Sequence, residues 1–293
     1  MKDLQPAARR YRFLARGPLG PAFVFGWRAF GVVRGIAQEA RLRSKWLFES
    51  RETTNLTYEL TERSVGYICD AIAVALDHNR DEIRGYVDEV LNDKDLAAHV
   101  ISKTKNSPFR HNADPAFRIG RRLGWYAIVR SVKPRSVIET GVDKGLGSVV
   151  ICAALLRNIA EGYDGRYFGT EIKPEGGYLL SDKYAGVGTI LYGDSVQSLR
   201  AFNSQIDVFV NDSDHSQEYE AAEYQAIKSK LGPRAVIIGD NADCTDKLCR
   251  FAHELGWPFL FIHEEPLDHW YQGAGIGLCV SPKLREARPV PLG

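Results

Sequence analysis

Between residues 135 and 280 the chain alternates short apolar, β-rich runs with segments of helical length, and this alternation constrains the fold more than any other feature. The runs cover 136–139, 167–172, 188–192, 206–210, 235–238, 259–263 and 276–280. Stretches such as 147–160 and 216–231 separate the first five. Strands that alternate with helices predict a parallel sheet covered on both faces. The last two runs flank the turn-rich EEPLDHWYQGAG and predict an antiparallel closing pair. The expected fold class is therefore α/β, a seven-stranded, mostly parallel sheet with an N-terminal helical region. In such sheets ligands bind in the crevice at the carboxyl ends of the strands, so the chemistry is sought there.

Ahead of the alternating region the pattern is helical. Val65, Ile68, Ile72 and Leu76 share one face, and Asn79-x-x-Glu82 is a cap signal leading into Ile83, Val87 and Leu91. The polar, proline-bracketed KTKNSPFRHNADP at 103–115 reads as a linker. Three parts follow: a cationic amphipathic arm at 1–50, a helical cap or dimerisation region at 51–115, and the α/β domain at 116–293. The arm has ten basic residues against two acidic ones within its first 45, or +8, although the whole chain carries only +1. Phe23, Trp27, Phe30, Val33 and Ala37 form an apolar stripe, interrupted by Gly26, Gly31 and Gly35. The first reading of this arm is docking or homo-oligomer contact, and contact with an anionic membrane surface is the second. The balanced overall charge argues against nucleic acid as a partner. Five scattered cysteines without a CxxC pair argue against a disulfide framework or structural zinc. With neither a convincing signal peptide nor a run long enough to span a bilayer, the expectation is a cytoplasmic protein.

The richest strand end is the first. VIETGVDKGLGS, residues 137–148, places Glu139 ahead of Gly141, Gly145, Gly147 and Ser148, and a helical run begins immediately. Glycines let the backbone pass close under a ligand, and a helix N-terminus favours negative groups. The spacing E-x-G-x-x-x-G-x-G departs from the GxGxxG of nicotinamide-binding loops. Further acids end the second run (Glu171 in YFGTEI) and follow the third (Asp194 and Ser195 in YGDS). The fourth runs into Asp212, Ser213, Asp214 and His215, and the fifth into Asp240 and Asn241. Asp212 and Asp240 lie 28 residues apart, a helix and a strand, so adjacent parallel strands can bring them together. Two carboxylates and an amide oxygen form a hard oxygen set suited to a magnesium-like ion.

In this order the strand ends resemble those of class I S-adenosylmethionine-dependent methyltransferases, over roughly residues 135–280. The resemblance implies that the last strand is antiparallel and that S-adenosyl-L-methionine (SAM) is the cofactor. Glu139 and the glycine loop would lie near its aminoacyl end, with Glu171 on the ribose hydroxyls and Asp194 and Ser195 at the adenine. Asp212, Asp240 and Asn241 resemble the metal set of the metal-dependent O-methyltransferases, and DSDHSQEYE is similar to the D-G-D-H-S-Y-E signature of a bacterial branch. Asp212 would also border the cofactor. The implied reaction is Mg2+-dependent O-methylation of a small-molecule hydroxyl of natural-product or sugar type, with Asp214 or His215 as the base. Two alternatives stand beside it: a metal-free N- or C-methyltransferase using His215, and a non-catalytic SAM-binding module. His263, Glu264, Glu265, Asp268, His269 and Trp270 read as a wet, charged hairpin connection, and Tyr219, Glu223 and Tyr224 as the core and solvent faces of one helix.

Overall fold

The computed structural model describes residues 16–240 and 242–285. Asn241 and the first fifteen residues of the cationic arm thus lie outside the described residues. The chain divides into two compact units.

The smaller unit contains α1 (Gly20–Glu49) and residues Asp268–Trp270. Proline in the first turn starts α1, and the Ser50 amide closes it by donating to the carbonyl of Trp46. Its last turns hold the short segment: Arg41 and Lys45 donate to the two oxygens of Asp268 at 2.8 and 2.7 Å, and the Trp46 and Trp270 rings lie 4.9 Å apart. The helix carries exposed Phe25, Phe30 and Phe48. No helix among the described residues is long and apolar enough to cross a membrane.

The larger unit contains everything that positions the candidate site. Its strands are β1 (Ser136–Thr140), β2 (Arg166–Glu171), β3 (Gly188–Tyr192), β4 (Ile206–Asn211), β5 (Leu231–Asp240), β6 (Phe259–Ile262) and β7 (Ile276–Val280). They form one sheet in the order β3-β2-β1-β4-β5-β7-β6. Each of the pairs from β3 to β5 is parallel, and β7 runs antiparallel to both β5 and β6. This is the mostly parallel, seven-stranded sheet expected from the run pattern, with β7 inserted beside β5.

The central strands β1, β4, β5 and β7 are largely buried, as strands rich in Val and Ile require, whereas the edge strands β3 and β6 stay partly exposed. On one face Val208 and Ile238 share a core with Val149 and Ile151 of α6 (Leu146–Ala160). The same core takes in Ile68 and Ile72 of α2 (Glu62–Leu76), Val87 of α3 (Arg80–Leu91) and Val100 of α4 (Lys94–Asn106). On the other face Ile138 and Phe209 pack with Tyr224 and Phe251. Each such large apolar side chain removed from water contributes roughly 1.5–3 kcal/mol before chain entropy is counted. Caps set the helix starts: Asn79 accepts from the Asp81 amide at 2.7 Å, and Asp93 from that of Leu96 at 2.9 Å. The helix α5 (Arg122–Val132), which feeds β1, is buried along its whole length, Arg122 and Arg130 included.

Candidate active site

A cavity of about 390 Å³ opens at the carboxyl ends of the first four strands. Gly141 and Asp143 after β1, Glu171 at the end of β2, Asp194 and Ser195 after β3, and Asp212 and Asp214 after β4 all border it. Gly141 has φ +79°, and a side chain there would run into the backbone of Asp212 and Ser213. Only glycine lets the β1 and β4 ends approach this closely. Glu171 accepts from the amides of Asp143 (2.7 Å) and Lys173 (2.8 Å), one on each oxygen. Its remaining lone pairs stay available to a ligand. Asp194 caps the helix α7 (Ser195–Ala201) by accepting from Gln197 N at 2.8 Å, and its other oxygen accepts from Tyr219 at 2.9 Å.

Glu139, Gly147 and Ser148 take a different place, beneath the loop. Glu139 is buried and accepts from Ser148 Oγ at 2.9 Å and from the Tyr167 hydroxyl. A side chain on Gly147 would collide with Glu139 and Trp125, so the glycine is required by packing on the carboxyl. Gly145, at φ +92°, starts α6. Burial raises the Glu139 pKa to about 7, in spite of the two hydroxyl donors. These residues support the loop that carries Gly141 and Asp143.

Glu223, expected only as part of a helix face, is a buried junction on α8 (Gln217–Ile227). It accepts from Thr140 Oγ1 (3.1 Å), Ser213 Oγ (2.7 Å), Ser195 Oγ and Asn211 Nδ2. Four donors, from β1, β4, the turn after β4 and the helix start after β3, thus converge on one carboxyl. A serine, threonine or asparagine at each strand end was the available signal, but nothing local pointed it toward residue 223.

Beyond the cavity lies an ion cluster. Asp212, His215 and Asp240 each bring one ligand-type atom to within 4.8 Å of the others. His215 Nε2 is 3.9 Å from Asp212 Oδ1. Asp214 uses one oxygen to accept from Ser216 N at 2.8 Å, as a turn ahead of α8. Sequence reasoning missed the partners of these acids. Arg121 donates from Nε and Nη2 to the two different oxygens of Asp240. Its Nη1 reaches Glu264 at 2.5 Å, Tyr271 at 3.0 Å and the Tyr58 hydroxyl at 3.2 Å. Arg122 Nη2 lies 3.8 Å from Asp212 Oδ2, with its guanidinium stacked on Trp125. Glu264, expected in a wet loop, is wholly buried because it completes the Arg121 shell. Adjacent arginines opening a fully apolar run were the readable clue, since a buried arginine demands acidic partners.

Burial and the neighbouring Asp240 charge push the Asp212 carboxyl well above the ordinary range. Burial acts on Asp240 in the same direction, but the Arg121 guanidinium outweighs it and holds Asp240 low. A divalent ion here would have to compete with a bidentate guanidinium for Asp240. At about 5 Å from one guanidinium the repulsion of a doubly charged ion is on the order of several kcal/mol, even at an effective dielectric of about 20. The described donor set therefore does not fit a magnesium-like ion, although its atoms lie close together.

Several solved structures resemble this fold. The O-methyltransferase from Bacillus cereus in complex with SAH is 17% identical, covering 67% of this chain and 96% of its own, with a TM-score of 0.47. The O-methyltransferase TomG from Streptomyces achromogenes, involved in tomaymycin synthesis and in complex with SAM, is 16% identical, covering 65% and 90%, also at 0.47. A methyltransferase from Geobacter sulfurreducens is 17% identical, covering 69% and 97%, at 0.47. No curated protein sequence matches the chain. Residues 138–242, which carry β1 to β5 and the acids at their ends, match the family model described as a methyltransferase domain.

Proposed function

We propose that this chain is a SAM-dependent methyltransferase that transfers the methyl group to a hydroxyl oxygen of a small molecule. The observation that carries this reading is that Gly141, Glu171, Asp194 and Asp212, one from each of four successive strand ends, border one cavity. Bound SAM would supply an electrophilic methyl group on a sulfonium sulfur. Glu171 is oriented by two backbone amides and keeps lone pairs for a pair of ribose hydroxyls. Asp194 and Ser195, fixed by Tyr219 and Glu223, border the adenine end.

His215 is the better base of the two candidates, because it stands beside Asp212 whereas Asp214 is engaged with the backbone of its own turn. An acceptor hydroxyl between Asp212 and His215 would pass its proton to the imidazole while its oxygen forms the new bond to the methyl carbon and the carbon–sulfur bond breaks, leaving the thioether S-adenosylhomocysteine. Proton transfer and positioning are thus the work asked of the protein. The acceptor class carried forward from the sequence, a natural-product or sugar hydroxyl, belongs to this proposal. The metal-assisted form of the reaction is set aside on the Arg121–Asp240 pairing.

Calorimetry with S-adenosylhomocysteine (SAH) tests the reading. The chain is expected to bind one SAH. Glu171→Ala should weaken that binding at least about tenfold, because hydrogen bonds to a charged group contribute about 1.5–3 kcal/mol each. Absence of SAH binding by the folded wild-type chain would sink the proposal.

A further inference from the structure

We propose that Arg121, assisted by Arg122, is the resident cation of the acceptor side and supplies to Asp240 and Asp212 the positive charge that a divalent ion would otherwise bring. The inference rests on the methyltransferase reading of the cavity and specifies how its far end is built. Three observations carry it. Both oxygens of Asp240 are engaged by one guanidinium, which is the geometry of a fork on a carboxylate and sets a fixed positive charge against any cation that approaches it. That guanidinium is itself held from behind by Glu264, Tyr271 and Tyr58, so it is a built part of the core. A second buried guanidinium, that of Arg122, faces Asp212 at 3.8 Å and brings a second positive charge to the same acids.

The arrangement has a consequence for the substrate. A metal selects acceptors with two neighbouring oxygens, because it binds both. A guanidinium locked in the core offers no such chelation, and its direction is fixed by Asp240 and Glu264. The acceptor therefore needs only one hydroxyl directed at Asp212 and His215. Catechol-like or vicinal-diol geometry is not required.

Mn2+ is the probe, titrated by electron paramagnetic resonance into the full chain with and without saturating SAH. The expected result is no stoichiometric binding tighter than about 1 mM in either state. Thermal unfolding should also be the same in EDTA and in excess Mg2+. One Mn2+ bound per wild-type chain at micromolar affinity, and lost in Asp240→Asn, overturns the inference. Arg121→Gln frees Asp240 and is expected to tighten Mn2+ binding at least tenfold, whereas Arg121→Lys, which keeps a positive charge, should not. A folded Arg121→Gln chain that gains no affinity for Mn2+ also overturns it. If Arg121→Gln does not fold, the wild-type titration and the Asp240→Asn control decide the matter. SAH binding in the same samples separates the two proposals: its absence removes the methyltransferase reading, while Mn2+ binding removes only the assignment of Arg121.

Discussion

The two ends of the crevice are built on opposite plans. At the end formed by β1, β2 and β3, the acids are oriented by backbone amides, helix caps and hydroxyls, and they border open space. At the end formed by β4 and β5, Asp240 is closed off by a guanidinium whose other partners come from far along the chain: Tyr58 near the first helices, and Glu264 and Tyr271 after β6. The first end is organised to receive a ligand. The second is organised to neutralise charge, and it makes the cation a covalent part of the protein. An acid at a strand end thus has no single meaning, since its partners decide whether it is a receptor or a structural ion pair.

The largest effect that would sharpen this contrast is expected from Arg121→Ala. Removing the guanidinium leaves Asp240 and Glu264 buried without their counter-ion, a loss of about 3–5 kcal/mol for a broken buried pair. Chemical denaturation should register it as a lower midpoint. A loss below about 1 kcal/mol would mean that the cluster is wet and loosely held, which breaks the contrast.

Next comes the pH dependence set under the cofactor loop. Burial raises the Glu139 pKa from 4.5 to about 7. The native state therefore holds this proton more tightly than the unfolded chain does, and the stabilisation is fully present below pH 4.5. It is lost as pH rises through about 7, by about 3 kcal/mol from this group. Glu139→Gln keeps an acceptor for Ser148 and Tyr167 and should flatten the decline in stability measured between pH 5 and pH 8. An unchanged slope would place the titration elsewhere.

The smallest of the three effects belongs to Glu223, which ties the open end together. Glu223→Gln turns one acceptor oxygen into a donor facing donors, and should cost roughly 1–3 kcal/mol. Because Ser195 and Ser213 then lose their anchor, SAH binding should weaken as well. A loss of stability with SAH affinity intact would show that the junction is only structural.

Much of the fold was legible in the residues themselves. The runs near 136, 167, 188, 206, 235, 259 and 276 became the seven strands, because short apolar runs bounded by turn residues are strand signals wherever they lie in the sheet. The Asn79 cap and the glycine turn at 141 were legible too, since both depend on the chain within a few residues. The surroundings of α5 were not, because Arg122 and Arg130 look like solvent-facing residues in the sequence and are buried only by the elements the fold packs around them. Nor were the pairings of Arg121 and Glu223, which join residues 119 and 83 positions apart to Asp240 and Thr140.

The sequence alone therefore determined the order of strands and helices, the glycine turn and the placing of an acid after each parallel strand. These follow from local periodicity and backbone freedom. The tertiary structure decided which acids face open space and which face a guanidinium. That choice depends on long-range burial, where a charge removed from water must find a partner wherever the fold brings one. Glu139, Glu171 and Asp240 look alike as strand-end carboxylates in the sequence. In the folded chain one supports a loop, one borders the cavity and one holds an arginine.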